Sequence, residues 1–155
     1  MSPSIDRLLI RGADVVVTMD QSRSEIASGD VLIEDGRIVA VGRGLPPDRA
    51  RVIEAAGCVV TPGLVNTHHH LFQTLTRAVP AAQDAALFGW LKTLYPIWAR
   101  MGPDDIRLSA EIGLAELAMS GCTCSSDHLY MFPNGARLDD SIEAARKIGI
   151  RFSAT

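Results

Sequence analysis

The sequence predicts an α/β chain in two parts: a small all-β unit over residues 1–60, then the opening units of a parallel β/α fold over residues 61–155. Three observations carry this prediction. Short apolar runs broken by turn residues fill the first part, with Asp35-Gly36 as a hairpin signal near its centre. Beyond Pro62-Gly63 the apolar period changes from that of strands to that of helices. The elements there follow the order strand, helix, strand, helix, strand, which builds a parallel sheet.

In the first part, RLLIRGADVVVTM gives two apolar runs broken at Gly12-Ala13. Val31-Leu32-Ile33 and Ile38-Val39-Ala40-Val41 flank the turn Glu34-Asp35-Gly36-Arg37 as the two arms of a hairpin. Pro46-Pro47 stops any strand, and ARVIEAAGCVV supplies another strand, a turn near Gly57 and a return. In the second part, Leu64 to Thr67 reads as a short strand that ends in His68-His69-His70. Between Asp84 and Trp98 a helical stripe runs through Leu87, Trp90, Leu91, Leu94 and Trp98. Pro96 should kink or end that helix. A clearer helix spans Pro103 to Ser120: proline suits the first turn, Asp104 and Asp105 suit its positive end, and Gly121 stops it. Cys122 to Asp127 then reads as a strand, Asp139 to Lys147 as a helix and Ile150 to Ala154 as a strand. Three strands cannot close a barrel, so the chain reads as the N-terminal piece of a longer α/β protein. The strand edge at Ile150-Arg151-Phe152 is then a pairing site, and the isolated chain should be poorly soluble or oligomeric.

Composition narrows the function. The chain has 155 residues, 47% hydrophobic, with a net charge of -3. No broad basic field points to nucleic acid or anionic lipid. No apolar run approaches the roughly 20 residues of a membrane helix. Acids and arginines occupy the stretch MSPSIDRLLIRGADVV, where a signal peptide would have its apolar segment. A soluble, cytoplasmic protein is the expectation. The three cysteines, Cys58, Cys122 and Cys124, are an odd number without framework spacing. Cys122 and Cys124 read as buried strand thiols rather than a soft-metal pair.

The histidine run carries the chemistry. Alternate side chains of a strand share a face, so His68 and His70 point one way and His69 the other. Two imidazoles on one face can bind one divalent metal ion. Residues at the C-terminal ends of parallel barrel strands are also the working ones. A polar loop with surface histidines is the competing reading. The chain has four histidines, the fourth being His128, and no H-x-x-E. The H-x-E with P-C-x-x-C pattern of one class of zinc enzyme is also absent.

The run PGLVNTHHH after a small β unit resembles the amidohydrolase superfamily. NTHHHLFQTLTRAVPAAQDAALFGWLKTLYPIW and SGCTCSSDHLYMFPNG resemble its deaminase and chlorohydrolase branch. The resemblance implies a small β-sandwich domain over residues 1–60 and, over residues 61–155, the first three β/α units of a metal-dependent (β/α)8 TIM barrel. It implies one divalent metal, zinc with iron as the alternative, with His68 and His70 as two of its ligands. Further ligands and the proton shuttle come from later strands in this family. No catalytic residue is therefore assigned within the chain, which alone should be inactive and bind metal weakly.

The implied reaction is hydrolysis of a C–N bond on an aromatic ring: a metal-activated water attacks and ammonia leaves. A purine-type free base is the implied substrate, 8-oxoguanine to urate and ammonia first, with a triazine or another purine as the alternative. A non-catalytic metal-binding or scaffold fragment is the rival from another class. Gln73 is a candidate for hydrogen bonding to the heterocycle, since an amide both donates and accepts. Trp90 is a candidate for packing on the ring, or a core aromatic. Trp98 stands where nucleoside deaminases of this branch carry an acid for ribose, which favours a free base. His128 ends the second parallel strand and is expected at the pocket mouth, or as a hydrogen-bonded structural histidine. Asp127 would face the helices as a cap or loop anchor. Arg77 could order the loop over the pocket, and Glu111, Glu116, Arg146 and Lys147 read as ordinary helix charges. A small heterocycle is the expected partner, and a homo-oligomer is left open for the full-length protein.

Overall fold

The computed structural model describes residues 6–155, which divide after Pro62 into two compact units. The first unit holds β1 (Arg7–Val17), β2 (Glu25–Glu34), β3 (Arg37–Gly42), β4 (Arg51–Glu54) and β5 (Val59–Val60). They form one sheet in the order β3-β2-β1-β4, with β5 also beside β1. The β2–β3 hairpin turns at Asp35-Gly36, with φ of 46° and 75°. Two positive φ values in a two-residue turn match the twist of the flanking strands, which is why Asp-Gly works there.

Two expectations need correction in this unit. The runs on either side of Gly12-Ala13 are one strand, since β1 continues through a bulge between Ile10 and Ala13. Gly12 absorbs the extra residue at φ 68°, a conformation that costs glycine little. The stretch after Gly57 is not a return, because β4 and β5 both run parallel to β1, one on each side of the bulge. The turn between them is a step that follows the bulge: Ala55 N–H donates to Arg11 C=O, and Asp14 N–H donates to Cys58 C=O. Ala13, Val16, Val31 and Ala55 are the core here.

Asp30, 2% exposed, ties this unit together. Its carboxylate accepts the Gly12 N–H at 2.7 Å and the Leu45 N–H at 2.8 Å, joining the bulge to the loop after β3. Asp30→Ala would leave two part-buried amide hydrogens without their partner. The expected loss is on the order of 2–4 kcal/mol in urea unfolding, and a loss under about 0.5 kcal/mol would show the bonds to be dispensable.

The second unit is a parallel sheet of β6 (Leu64–Asn66), β7 (Cys122–Asp127) and β8 (Arg151–Ala154), in that order. A 3-10 helix (Leu71–Thr76), α1 (Leu87–Trp98) and α2 (Pro103–Met119) lie in the first crossover, and α3 (Leu138–Ile148) in the second. Asp105 accepts the Gly102 N–H at 2.9 Å to close the start of α2. Gly149 ends α3 at φ 83°. Pro96 lies inside α1, which ends two residues later at Trp98.

Small residues set the close approaches. A Cβ on Gly63 would lie 2.2 Å from the Thr123 side chain, and one on Gly113 would lie 2.8 Å from Leu71 and Thr74. Gly113 thus lets α2 sit directly on the 3-10 helix that follows the histidines. One apolar cluster gathers Phe72, Leu94, Trp98, Ile106 and Leu129. Another gathers Leu71, Ala110, Leu114, Ala144 and Ala145 between α2 and α3.

The strand expected to carry the histidines is shorter than the sequence predicts. β6 stops at Asn66, and residues 67–70 have no regular structure. The cause is local: Asn66 Oδ1 accepts the His68 N–H at 3.3 Å, a side-chain turn that competes with the strand ladder. The strand-face argument therefore does not set the His68–His70 geometry; the turn does.

Candidate functional site

The C-terminal ends of the three parallel strands surround an open cleft of about 340 Å³, lined by residues 67–70 with Ser126, His128 and Thr155. Each strand contributes the residues just past its end, the usual location of a ligand site in parallel α/β folds. Backbone bonds lace the three ends together. His128 N–H donates to His69 C=O at 2.9 Å, Leu129 N–H to Thr155 C=O at 2.9 Å, and Thr155 N–H to Asp127 C=O at 2.9 Å.

His68 and His70 are neighbours in this cleft, with ring centroids 5.2 Å apart. Two imidazoles sharing one tetrahedral zinc at the usual zinc–nitrogen distance place their ring centres about 5 Å apart. The spacing therefore fits a shared metal. His70 Nδ1 lies 2.9 Å from the His128 carbonyl oxygen, which can only accept. His70 thus carries its proton on Nδ1 and presents the Nε2 lone pair, the arrangement typical of a metal-binding histidine. Among the described residues, no group of three or more His, Cys, Asp or Glu side chains is placed to hold a metal ion.

His69 points elsewhere. Asn66 Nδ2 donates to its Nδ1 at 2.8 Å. Burial pushes its imidazolium pKa below the ordinary value, against the opposing pull of Asp127, so the ring is neutral at physiological pH. Asp127 is buried on the helix side of β7, as the sequence suggests, and is a loop anchor: its Oδ1 accepts the Leu71 N–H at 2.8 Å, at the start of the 3-10 helix after the histidines. Burial pushes its carboxyl pKa up, and the Leu71 N–H opposes that shift.

The structure brings His128 beside the pair, 5.6 Å from His70 by ring centroids. Gln73 stands on the 3-10 helix outside the cleft lining, and its amide N–H donates to Tyr130 Oη at 2.9 Å. Tyr130 in turn sets its ring edge-on to His70 at 5.1 Å and near His128 at 5.5 Å. Trp90 is half-buried against Trp98, 5.2 Å between centroids, and packs on the apolar cluster rather than lining the cleft. Trp98 is fully buried and donates its indole N–H to Thr76 Oγ1 at 2.9 Å. Arg77 pairs with both carboxylate oxygens of Glu116, at 2.6 and 2.7 Å, which pins the end of the 3-10 helix to α2. The cysteines are free thiols, with Cys122 buried and Cys124 half-buried in β7.

Sequence reasoning missed Tyr130 and Asn66. Tyr130 could have been found as the aromatic two positions beyond His128. Asn66 could have been found as the turn-forming residue two positions before His68.

Residues 59–155 match the model of the Amidohydrolase family. The chain is 46% identical over 134 residues to an 8-oxoguanine deaminase of Pseudomonas aeruginosa, covering 83% of this chain and 30% of the relative. It is 40% identical to an isoxanthopterin deaminase from an unknown prokaryotic organism, over 93% of this chain and 32% of the relative. The solved atrazine chlorohydrolase TrzN from Arthrobacter aurescens TC1, complexed with zinc, superposes with a TM-score of 0.90 at 36% identity. That match covers 96% of this chain and 35% of the solved one. The chain spans about a third of the length of the relatives it matches.

Proposed function

The chain belongs to the amidohydrolase family, and we propose that it is the N-terminal part of an aminohydrolase that releases ammonia from a purine-type free base, 8-oxoguanine first. On this reading residues 61–155 are the first three β/α units of a (β/α)8 barrel, and residues 1–60 belong to a small β-sandwich. The observation that carries it is the His68–His70 pair at the strand ends, 5.2 Å apart, with His70 held by His128 so that Nε2 is free. His68 and His70 would hold one divalent metal, zinc with iron as the alternative. When bound, that metal supplies Lewis-acid activation of water.

The chain's own residues bind and orient. Tyr130 fixes the Gln73 amide through one N–H, which leaves its second N–H and its carbonyl for the edge of a heterocycle. His128 stands at the mouth of the cleft and holds His70 through its carbonyl. Trp90 backs the aromatic cluster and is proposed to reach the substrate ring only where later parts of the protein close the pocket. The general acid and the remaining ligands lie outside this chain, which alone is expected to be inactive. No helix among the described residues is long and apolar enough to cross a membrane, and a cytoplasmic enzyme is proposed.

Two observations support a free base such as 8-oxoguanine. Identity to the Pseudomonas aeruginosa deaminase is 46%. Trp98 is enclosed and bonded to Thr76, so this position offers no acid for ribose hydroxyls. Similarity to the triazine hydrolases supports a triazine as the second candidate. Ammonia release by the full-length protein should be compared on 8-oxoguanine, guanine and a hydroxytriazine. The expected order places 8-oxoguanine first by at least about tenfold in kcat/KM, or about 1.4 kcal/mol of transition-state preference. A triazine in first place would overturn the substrate, and no release from any of the three would overturn the aminohydrolase reading.

A further inference from the structure

We propose that Asn66 is a positioning residue for the metal pair, acting through the turn it caps and through the ring of His69. This rests on reading His68 and His70 as metal ligands. Ending a strand needs only one side-chain bond, from the His68 N–H to Asn66 Oδ1 at 3.3 Å. Asn66 makes two more. Its Nδ2 donates to His69 Nδ1 at 2.8 Å and to Ser125 Oγ on β7 at 3.3 Å. Ser125 is itself fully buried and donates to the Ser126 carbonyl at 3.1 Å.

These bonds form a closed path. From β7, Ser125 holds Asn66, and Asn66 holds the ring of His69. His69 C=O accepts the His128 N–H, and His128 C=O accepts from His70 Nδ1. The path begins and ends on the β7 strand and its continuation; His68 is tied to it at Asn66 and His70 at the His128 carbonyl. The His68 backbone is fixed by Asn66 Oδ1, while the His70 ring is fixed by a carbonyl whose own N–H is engaged by His69. Residues 67–70 form no regular strand, and this path adds side-chain bonds to the backbone bond between His69 and His128 in restraining the turn. Outer partners of metal ligands of this kind typically carry about 10- to 100-fold in metal affinity.

Asn66→Asp separates this role from simple strand ending. The carboxylate keeps the shape and the acceptor for the His68 N–H, but it can meet His69 or Ser125 only by reversing the bonds, which requires the other His69 tautomer and takes the Ser125 hydroxyl off the Ser126 carbonyl. The test uses the full-length protein, with zinc affinity measured by competition against a chromophoric chelator and melting of the metal-free form measured in parallel. Asn66→Asp and His69→Ala are each expected to weaken zinc binding about 10- to 100-fold, with the metal-free melting temperature within a few degrees of the parent. The double variant is expected to be no weaker than the worse single one by more than about threefold, since both break one path.

Zinc affinity within about threefold of the parent in both single variants, or losses that simply multiply in the double, would overturn the proposal. So would a loss of affinity that appears only in step with lost melting temperature. If Asn66→Asp does not accumulate as folded protein, Ser125→Ala replaces it in the same comparison. His68→Ala and His70→Ala serve as references. If they leave zinc binding unchanged, the metal reading itself fails and takes this inference with it. If they abolish binding while Asn66→Asp and His69→Ala do not weaken it, only the positioning role fails.

Discussion

Replacing His68 or His70 with alanine in the full-length protein should abolish stoichiometric zinc binding and lower ammonia release by about a thousandfold or more. The magnitude follows from what is lost, namely the activation of water, and a thousandfold corresponds to about 4 kcal/mol of barrier. The two variants should differ in one respect. His70→Ala also frees the His128 carbonyl, which now accepts from His70 Nδ1 at 2.9 Å, so the segment after β7 should loosen. His68 makes no ring hydrogen bond of this kind among the described residues, and its removal should leave that segment unchanged. Parallel zinc analysis and ammonia assays check the expectation. A His68→Ala protein that kept its zinc and its rate would remove His68 from the site.

The largest effect on stability is expected at Trp98. Its side chain is fully buried and meets Phe72, Trp90 and Tyr95 at centroid distances of 5.1, 5.2 and 5.4 Å. Trp98→Ala leaves a cavity and removes the indole N–H from Thr76 Oγ1, which keeps its bond to the Gln73 carbonyl, and should cost about 3–5 kcal/mol in urea unfolding. Trp98→Phe keeps most of the packing and loses the indole N–H, so its cost should be nearer 1–2 kcal/mol. The effect should reach the site. Phe72 bridges Trp98 to Tyr130, at 5.1 and 5.2 Å, and Tyr130 is the partner of Gln73. A higher KM with a smaller change in kcat is therefore expected for Trp98→Phe in the full-length protein. Unfolding within about 1 kcal/mol of the parent for Trp98→Ala would show that the cluster repacks.

Some of this was legible in the sequence because it is local. The Asp35-Gly36 hairpin, the proline and aspartates that open α2, and the β7 boundaries all depend on residues within a few positions of one another. The bulge at Gly12 and the parallel pairing of β4 and β5 with β1 were not legible, because they depend on which distant strand lies alongside. The same division runs through the site. The sequence expects His68 and His70 on one side and His69 on the other, and that arrangement is formed, with the pair 5.2 Å apart and His69 turned to Asn66, but in a turn rather than on a continuing strand. A single asparagine turned the chain at residue 66, and the pair came together in the turn. His128 joined them only because β6 and β7 pair in parallel. Tyr130 and Asn66 stand close to the histidines in sequence, but they bond to partners 57 and 59 residues away respectively, and no local pattern names those partners. Trp90 and Trp98 stood out as aromatics in a helical stripe, and that stripe also describes a core, where Trp98 lies.

The most direct measurement is an anomalous-diffraction map of the full-length, metal-replete protein. One metal peak within about 2.0–2.1 Å of ring nitrogens of both His68 and His70 is expected, with His70 bound through Nε2 and its Nδ1 still on the His128 carbonyl. A peak away from this pair, or a His70 that binds through Nδ1, would contradict the assignment of these two histidines as a metal half-site.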